Sequence, residues 1–191
     1  MQQNRKAASV GVEATTATVV IVPYDPRWPA MFADERERIL TATGGVVLAV
    51  EHVGSTAVPG LAAKPIIDIL AGVRHLDDAA ETFQPLLALG YTYVPEYETE
   101  IPDRRYFHKG PPAARSHHLH MAEFGGGFWR RHLAFRDALR SDPVLAARYA
   151  ALKRDLAARF GRDRRGYTEA KTEFIESVLA DFGSPPGSGS R

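Results

Sequence analysis

The chain has 191 residues, of which 45% are hydrophobic and 25% are charged, a balance typical of one globular domain with a sizeable core. It contains no cysteine, which excludes disulfide bonds, thiolate nucleophiles and cysteine-ligated zinc. No apolar run approaches the length of a membrane span, and the charged N-terminus is not followed by a signal-like apolar segment. We therefore expect a cytoplasmic protein with no membrane contact.

The net charge of +1 hides an uneven distribution along the chain. Residues 1–103 carry 7 Lys and Arg against 14 Asp and Glu, a net of −7, whereas residues 104–165 carry 15 against 5, a net of +10. The basic half is either a set of solvated helices or a source of positive charge for a small phosphate-bearing ligand. It lacks interleaved aromatic residues that stack on bases, which argues against nucleic acid as the partner.

Composition also predicts the domain organisation. An Ala/Thr/Gln-rich stretch at residues 1–17 predicts a mobile N-terminal arm, and the Gly/Ser/Pro-rich residues 184–191 predict a flexible tail. Between these ends, the alternation of apolar segments with turn-forming residues predicts a single domain over residues 18–183.

The first part of that domain has the pattern of a sheet with interspersed helices. A helix is predicted through Trp28 and Ile39, because its apolar residues share one face, and it ends at Gly44. A second helix begins at Asp77 or Asp78 and ends before Gly90. Short runs of apolar and β-branched residues predict strands at residues 19–22, 46–50, 65–71, 91–94, 105–108 and 117–121.

The period changes to that of helices after residue 127. One helix is predicted from Phe128 to Arg140, and the next begins with Asp142 as its N-cap and Pro143 at its first position and runs to Gly161. A last helix is capped by Thr168 and ends near residue 182. The fold class is thus α/β (α+β), with a small mixed sheet, helices packed on it and a C-terminal helical segment.

The segment between the strands at 46–50 and 65–71 has the composition of a phosphate-binding loop. Gly54 permits close backbone approach, and Ser55 offers a hydroxyl and an N–H to a phosphate. The following strand brings Asp68 alongside, where a carboxylate can hold a divalent metal. A plain turn followed by a strand-end aspartate explains the same residues, so the spacing alone leaves both interpretations open.

Two histidines extend the candidate metal site. Strand alternation places His118 and His120 on one face, from which they can bind one ion with Asp68 as third ligand. The other interpretation is a pair of hydrogen-bonded histidines that hold loops.

Four basic residues are candidates for binding a phosphate. Lys64 precedes the Asp68 strand, Arg105 and Lys109 share one side of a strand, and Lys171 lies one helical turn from Tyr167. The competing explanations are that Lys64 is an ordinary surface lysine and that Arg105 and Lys109 are charges that protect an edge strand from pairing. If the site exists, Ser55, Lys64 and Asp68 should meet in one polar cleft with both histidines in reach.

Several segments, in order, resemble the GrpB family. Residues 51–69, Glu-His-Val-Gly-Ser-Thr-Ala-Val-Pro-Gly-Leu-Ala-Ala-Lys-Pro-Ile-Ile-Asp-Ile, resemble its signature. So do residues 24–28, 117–120, 135–137 and 167–168, followed by Lys171 and Phe174. The resemblance implies membership of the nucleotidyltransferase superfamily, whose pattern is Gly-Ser, a spacer and then Asp-hydrophobic-acid. Proteins that look like this also occur fused to dephospho-CoA kinase.

The chain departs from the superfamily pattern at its second acid. Residue 70, on the same face as Asp68, is leucine, and a two-metal site for phosphoryl transfer needs several carboxylates. If His118 and His120 fill the gap, imidazole favours Mn²⁺, Zn²⁺, Ni²⁺ or Co²⁺ over Mg²⁺, and one ion binds per chain.

Three functions are consistent with these residues. The leading hypothesis is a nucleotidyltransferase-like enzyme or phosphate-ligand-binding protein, with a nucleotide as the candidate ligand. The second is a non-catalytic module that binds a nucleotide or a CoA-like ligand. The third is a metal-dependent enzyme that uses Asp68, His118 and His120.

Overall fold

A five-stranded mixed sheet forms the centre of the molecule. In the computed structural model, which describes residues 20–160 and 163–182, the strands are β1 (Ala49–Val53), β2 (Ile67–Val73), β3 (Tyr91–Tyr93), β4 (Arg105–Lys109) and β5 (His117–Glu123). Their order across the sheet is β1-β2-β5-β4-β3. Only β2 and β5 are parallel; the other neighbouring pairs are antiparallel. The predicted α/β class with a small mixed sheet is therefore confirmed.

Six α-helices accompany the sheet in the described part of the chain. They are α1 (Trp28–Ala42), α2 (Phe83–Ala88), α3 (Gly127–Ser141), α4 (Pro143–Phe160), α5 (Arg164–Glu169) and α6 (Thr172–Phe182). Short 3-10 helices span Ser55–Ala57, Leu76–Thr82 and Pro95–Glu98. Asp142 caps α4 as predicted, since its carboxylate accepts hydrogen bonds from the N–H groups of Val144 (2.8 Å) and Leu145 (3.0 Å). None of the described helices combines the length and the apolarity that crossing a bilayer requires.

The two faces of the sheet have different roles. One face carries Ile67, Ile69 and Leu119 and packs with α1 and α2 into the main hydrophobic core. The other face carries Asp68 and the even-numbered residues of β2 and β5, which the register aligns as Asp68 beside His118 and Leu70 beside His120. Only part of this second face is covered by an apolar cluster, in which Trp129 of α3 packs on Leu70.

Several predicted boundaries were wrong. The strand expected at 46–50 lies at Ala49–Val53, because β1 pairs with β2 from Gly72 to Asp68. The run at 19–22 forms only an isolated bridge between Val22 and Ala63. The helix expected from residue 77 begins as the 3-10 helix Leu76–Thr82. Position 19, the arm at 1–17, Gly161 and the tail at 184–191 lie outside the described residues.

The last predicted helix is in fact two helices. Asp163 caps α5, accepting a hydrogen bond from the Gly166 N–H at 2.9 Å, and Thr168 lies inside α5 rather than at a helix start. The connection between α5 and α6 carries Lys171, so the break in the helix places this lysine at the site described next.

Candidate functional site

The loop at residues 54–61, which we call the glycine–serine loop, starts with a backbone conformation that requires glycine. Gly54 has φ 69° and ψ −171°, a region that side-chain-bearing residues almost never occupy. A Cβ at this position would lie 2.9 Å from the Cβ of Asp68 and would also collide with its carboxylate. The close approach expected from the sequence is thus made to Asp68 itself, across the β1–β2 pair.

Hydrogen bonds on the core side of the sheet hold the loop in place. The Thr56 hydroxyl donates to the carbonyl of Ile66 at 3.3 Å, and His52 Nε2 lies 3.0 Å from the same hydroxyl. The His52 ring stacks on Phe32 at 4.6 Å between centroids. Burial lowers the pKa of His52 to about 4, so the imidazole is neutral and has a packing role.

Helix α3 also holds the loop, through two of its arginines. Arg136 donates to the carboxylate of Glu51 at 2.7 Å and to the carbonyl of His52 at 3.1 Å. One helical turn later, Arg140 Nε donates to the carbonyl of Ala57 at 2.9 Å. Helix α3 is therefore bonded to the backbone just before the loop, at His52, and within the loop, at Ala57.

Asp68 and His118 form a hydrogen-bonded pair beside this loop. Asp68 Oδ1 lies 3.1 Å from His118 Nδ1, with the two side chains 31% and 23% exposed. Burial opposes ionisation of Asp68, but the hydrogen bond from His118 and the charges of His118, His120 and Lys171 outweigh it and lower the pKa of the carboxyl. Asp68 is therefore a carboxylate at neutral pH.

Three lysines surround the other side of Asp68. A cavity of about 70 Å³ is lined by Ser55, Thr56, Ala63, Lys64, Asp68, Tyr149, Lys153, Tyr167 and Lys171, and we call it the lysine pocket. The structure thus brings together four residues singled out from the sequence, namely Ser55, Lys64, Asp68 and Lys171. A volume of this order accommodates a few waters or one small polar group.

The lysines are positioned by aromatic rings and by the loop backbone. The ammonium groups of Lys64 and Lys171 lie 4.4 Å and 4.5 Å from the centroid of the Tyr167 ring. Lys153 is only 3% exposed and donates to the carbonyl of Ala62 at 2.5 Å. Burial, assisted by the charge of Lys171, lowers the pKa of Lys153 to about 7. Burial lowers the pKa of Lys171 as well.

Neither Lys153 nor Tyr149 was singled out from the sequence. Both belong to the buried stripe of α4, together with Ala150 and Leu156. A lysine in an otherwise apolar stripe was the available signal, because such a residue is rarely buried without a polar partner.

Arg105 and Lys109 do not join the lysine pocket. The β4–β5 register puts both on the core face of the sheet, opposite to Asp68. Arg105 pairs with Glu98 at 3.3 Å, and Lys109 Nζ donates to the buried carboxylate of Glu35 at 2.8 Å. The phosphate clamp expected from these two residues is therefore not formed.

The predicted three-ligand metal site is not assembled either. His120 Nδ1 lies 2.9 Å from the guanidinium of Arg104, and burial together with that charge lowers the pKa of His120 well below its usual range. Across the described residues, no three His, Asp or Glu side chains are arranged to hold a metal ion. Leu70, at the second acid position, is fully buried against Trp129. One carboxylate among three lysines does not fit a divalent metal.

Fold and pocket together define a mixed α/β domain in which a glycine–serine loop closes on a strand aspartate. A family model described as "GrpB protein" matches residues 18–181. The chain belongs to the GrpB family, as the resemblance implied.

Solved and curated proteins agree with this assignment. The crystal structure of conserved protein GrpB from Enterococcus faecalis superposes with a TM-score of 0.76 at 36% identity, covering 85% of this chain and 96% of that one. The protein YqkA of Bacillus subtilis is 42% identical over 160 residues, 84% of this chain and 46% of YqkA. A dephospho-CoA kinase of Mycolicibacterium paratuberculosis is 37% identical over 184 residues, 85% of this chain and 45% of that protein. The chain thus spans about half the length of these two curated relatives.

Proposed function

We propose that the domain binds a phosphoryl group of a small ligand, such as a nucleotide or a CoA-like molecule, in the lysine pocket. The observation that carries the proposal is the charge of the pocket: Lys64, Lys153 and Lys171 face one carboxylate, Asp68. With all four ionised, three positive charges and one negative charge leave a net of +2 in a partly desolvated site. An anion offsets this excess, and charge-assisted hydrogen bonds to phosphate are among the stronger polar contacts.

The poor fit of the pocket for a metal ion favours binding over nucleotidyl transfer. Nucleotidyl transfer through two ions needs carboxylates at both positions, and position 70 is a buried leucine. Lysine ammonium groups can neutralise the charge of a phosphate without a metal ion. We therefore favour metal-independent binding. The name of the relative from Mycolicibacterium paratuberculosis, dephospho-CoA kinase, supports a nucleotide-bearing or CoA-like ligand.

Removing one pocket lysine should test the proposal directly. We expect inorganic phosphate and nucleotides to bind with and without Mg²⁺, and Lys171→Met to weaken binding about tenfold or more, since a charge-assisted hydrogen bond is lost. Isothermal titration calorimetry of wild type and variant gives the two dissociation constants.

Arg154→Met is the matched control, because Arg154 is exposed and adjoins Lys153 on α4. Its affinities should equal those of wild type. Binding that appears only with Mg²⁺ and disappears in Asp68→Asn would instead favour the metal-dependent enzyme, and no binding of any phosphate compound would contradict the proposal.

The pKa of Lys153 predicts a pH dependence of anion binding. A bound dianion favours the ammonium form, so affinity should be high below about pH 7 and fall as pH rises through the pKa of about 7 of Lys153, which faces Lys171 and Asp68. Sulfate is the suitable probe, since its charge is constant across this range. Calorimetric titrations between about pH 6 and 9 measure the profile.

Lys153→Met tests whether this lysine is the group responsible for the pH dependence. The variant should bind sulfate more weakly at low pH and lose the part of the decline centred near pH 7. An unchanged profile in Lys153→Met would assign the pH dependence to another group.

A further inference from the structure

A second group of polar side chains, two of them arginines, lies on the same sheet face as Asp68, on the far side of His118. The register aligns Asp68, His118 and His108 across β2, β5 and β4, with Tyr106 beside His120 in the next row. Arg104 precedes β4, and Arg115 precedes β5. We call Arg104, Tyr106, His108 and Arg115 the arginine cluster.

Buried nitrogen atoms in this region lack partners among the described residues. They are Arg104 Nε, His108 Nδ1, Arg115 Nε and His118 Nε2. A buried polar atom without a hydrogen-bond partner is unfavourable, so four in one region indicate that something outside the described residues pairs with them. Ordered water and an anionic ligand are the two chemical answers.

The charges of the cluster favour the anion. Arg104 donates one N–H to a neutral acceptor, His120 Nδ1, at 2.9 Å. Its guanidinium lies 5.0 Å from the centroid of the Tyr106 ring. Burial lowers the pKa of Arg104, and Tyr106, Tyr97 and the carboxylate of Glu100 oppose this shift only in part. Burial and the charge of Arg115 also lower the pKa of His108. Water can satisfy the nitrogens, but an anion also offsets the guanidinium charge that remains when the carboxylate acting on Arg104, Glu100, is set against two arginines.

We infer that the arginine cluster binds a second anionic group of the ligand whose phosphoryl group occupies the lysine pocket. The inference rests on the proposed function and specifies the ligand class: a small molecule with two separated anionic groups, of which one is a phosphoryl. Guanidinium forks match both carboxylate and phosphoryl oxygens, so either can be the second group. The uncharged middle of such a ligand passes the Asp68–His118 pair, where the carboxylate can accept a hydrogen bond from a hydroxyl.

A series of linear alkane bisphosphates of increasing chain length, with matched alkyl monophosphates, tests the inference by calorimetry. We expect one chain length to bind about tenfold or more tightly than its monophosphate, because a second charge-assisted contact is added. Arg104→Met and Arg115→Met should each remove this gain of the bisphosphate over its matched monophosphate. Lys171→Met should weaken every compound. Phosphonoalkanoates of the same lengths distinguish a carboxylate from a phosphoryl as the second group.

Arg105→Met is the matched control, since Arg105 adjoins Arg104 but pairs with Glu98 on the opposite face. It should retain the full gain, and thermal melting establishes that each variant is folded. Should one arginine variant fail to fold, the other gives the same comparison. Bisphosphates that bind no more tightly than monophosphates, or a gain that survives in both variants, would overturn the inference even where inorganic phosphate binds. No binding of inorganic phosphate would instead refute the proposed function.

Discussion

Replacing Gly54 by alanine should destabilise the protein by about 3 kcal/mol and abolish phosphate binding. At φ 69° and ψ −171° an L side chain is strained by about 1–3 kcal/mol. The added Cβ would also sit 2.9 Å from the Cβ of Asp68, in a part of the sheet where β1 and β2 pair and cannot separate cheaply. The loop must shift, and Ser55 and Asp68 then lose their places in the pocket.

Thermal unfolding and phosphate titration measure the two effects of Gly54→Ala. A loss of about 3 kcal/mol corresponds to a melting temperature roughly 10 °C lower for a domain of this size. Gly60→Ala is the matched control, because Gly60 also has a positive φ of 77° but a Cβ there has nothing within 4 Å. It should cost only about 1 kcal/mol and preserve binding. Equal effects in the two variants would show that contact with Asp68 contributes nothing.

Arg136→Met should give the second large effect, a destabilisation of about 2–3 kcal/mol with weakened phosphate binding. Burial lowers the pKa of Arg136, but hydrogen bonds to Asp137 and Glu51 outweigh it, so the net pKa is raised and the guanidinium is fully charged. Its side chain is 10% exposed, whereas Glu51 and Asp137 are 39% and 46% exposed, so solvent screens part of the loss. Without the arginine, the carbonyl of His52 also loses its donor at the start of the loop.

Arg131→Met on the same helix separates the loop contact from a general effect on α3. Arg131 pairs with Glu176 in a largely exposed bridge, so its loss should leave stability and binding nearly unchanged. Urea unfolding gives the free energies of both variants. If Arg131→Met destabilised the chain as much as Arg136→Met, α3 rather than the loop would be the sensitive element.

Much of the loop geometry follows from local rules. A glycine before a serine predicted close backbone approach, and strand alternation put residues 68 and 70, and residues 118 and 120, on shared faces, as the register confirms. The resemblance to the GrpB family, and through it the nucleotidyltransferase pattern, identified position 70 as the place of a second acid, and the same rule put Leu70 on the face of Asp68. Whether these residues bind a ligand stays a prediction, because geometry alone does not test it.

Non-local contacts decided which basic residues face Asp68. Alternation made Arg105 and Lys109 equivalent to each other, but only the β4–β5 register placed them on the core face, with Tyr106 and His108 on the Asp68 face. Lys153 entered the pocket because α4 docks with its stripe against the loop, a contact between residues 91 positions apart.

By itself, then, the sequence determined most of the helices and strands and the glycine at the start of the loop, because these depend on the conformations of neighbouring residues. The resemblance to a known family added the loss of the second carboxylate at position 70. The tertiary structure decided the lysine pocket, the arginine cluster and the separation of His120 from Asp68. Each of those depends on strand register and helix docking, which are set by packing between segments far apart in the chain.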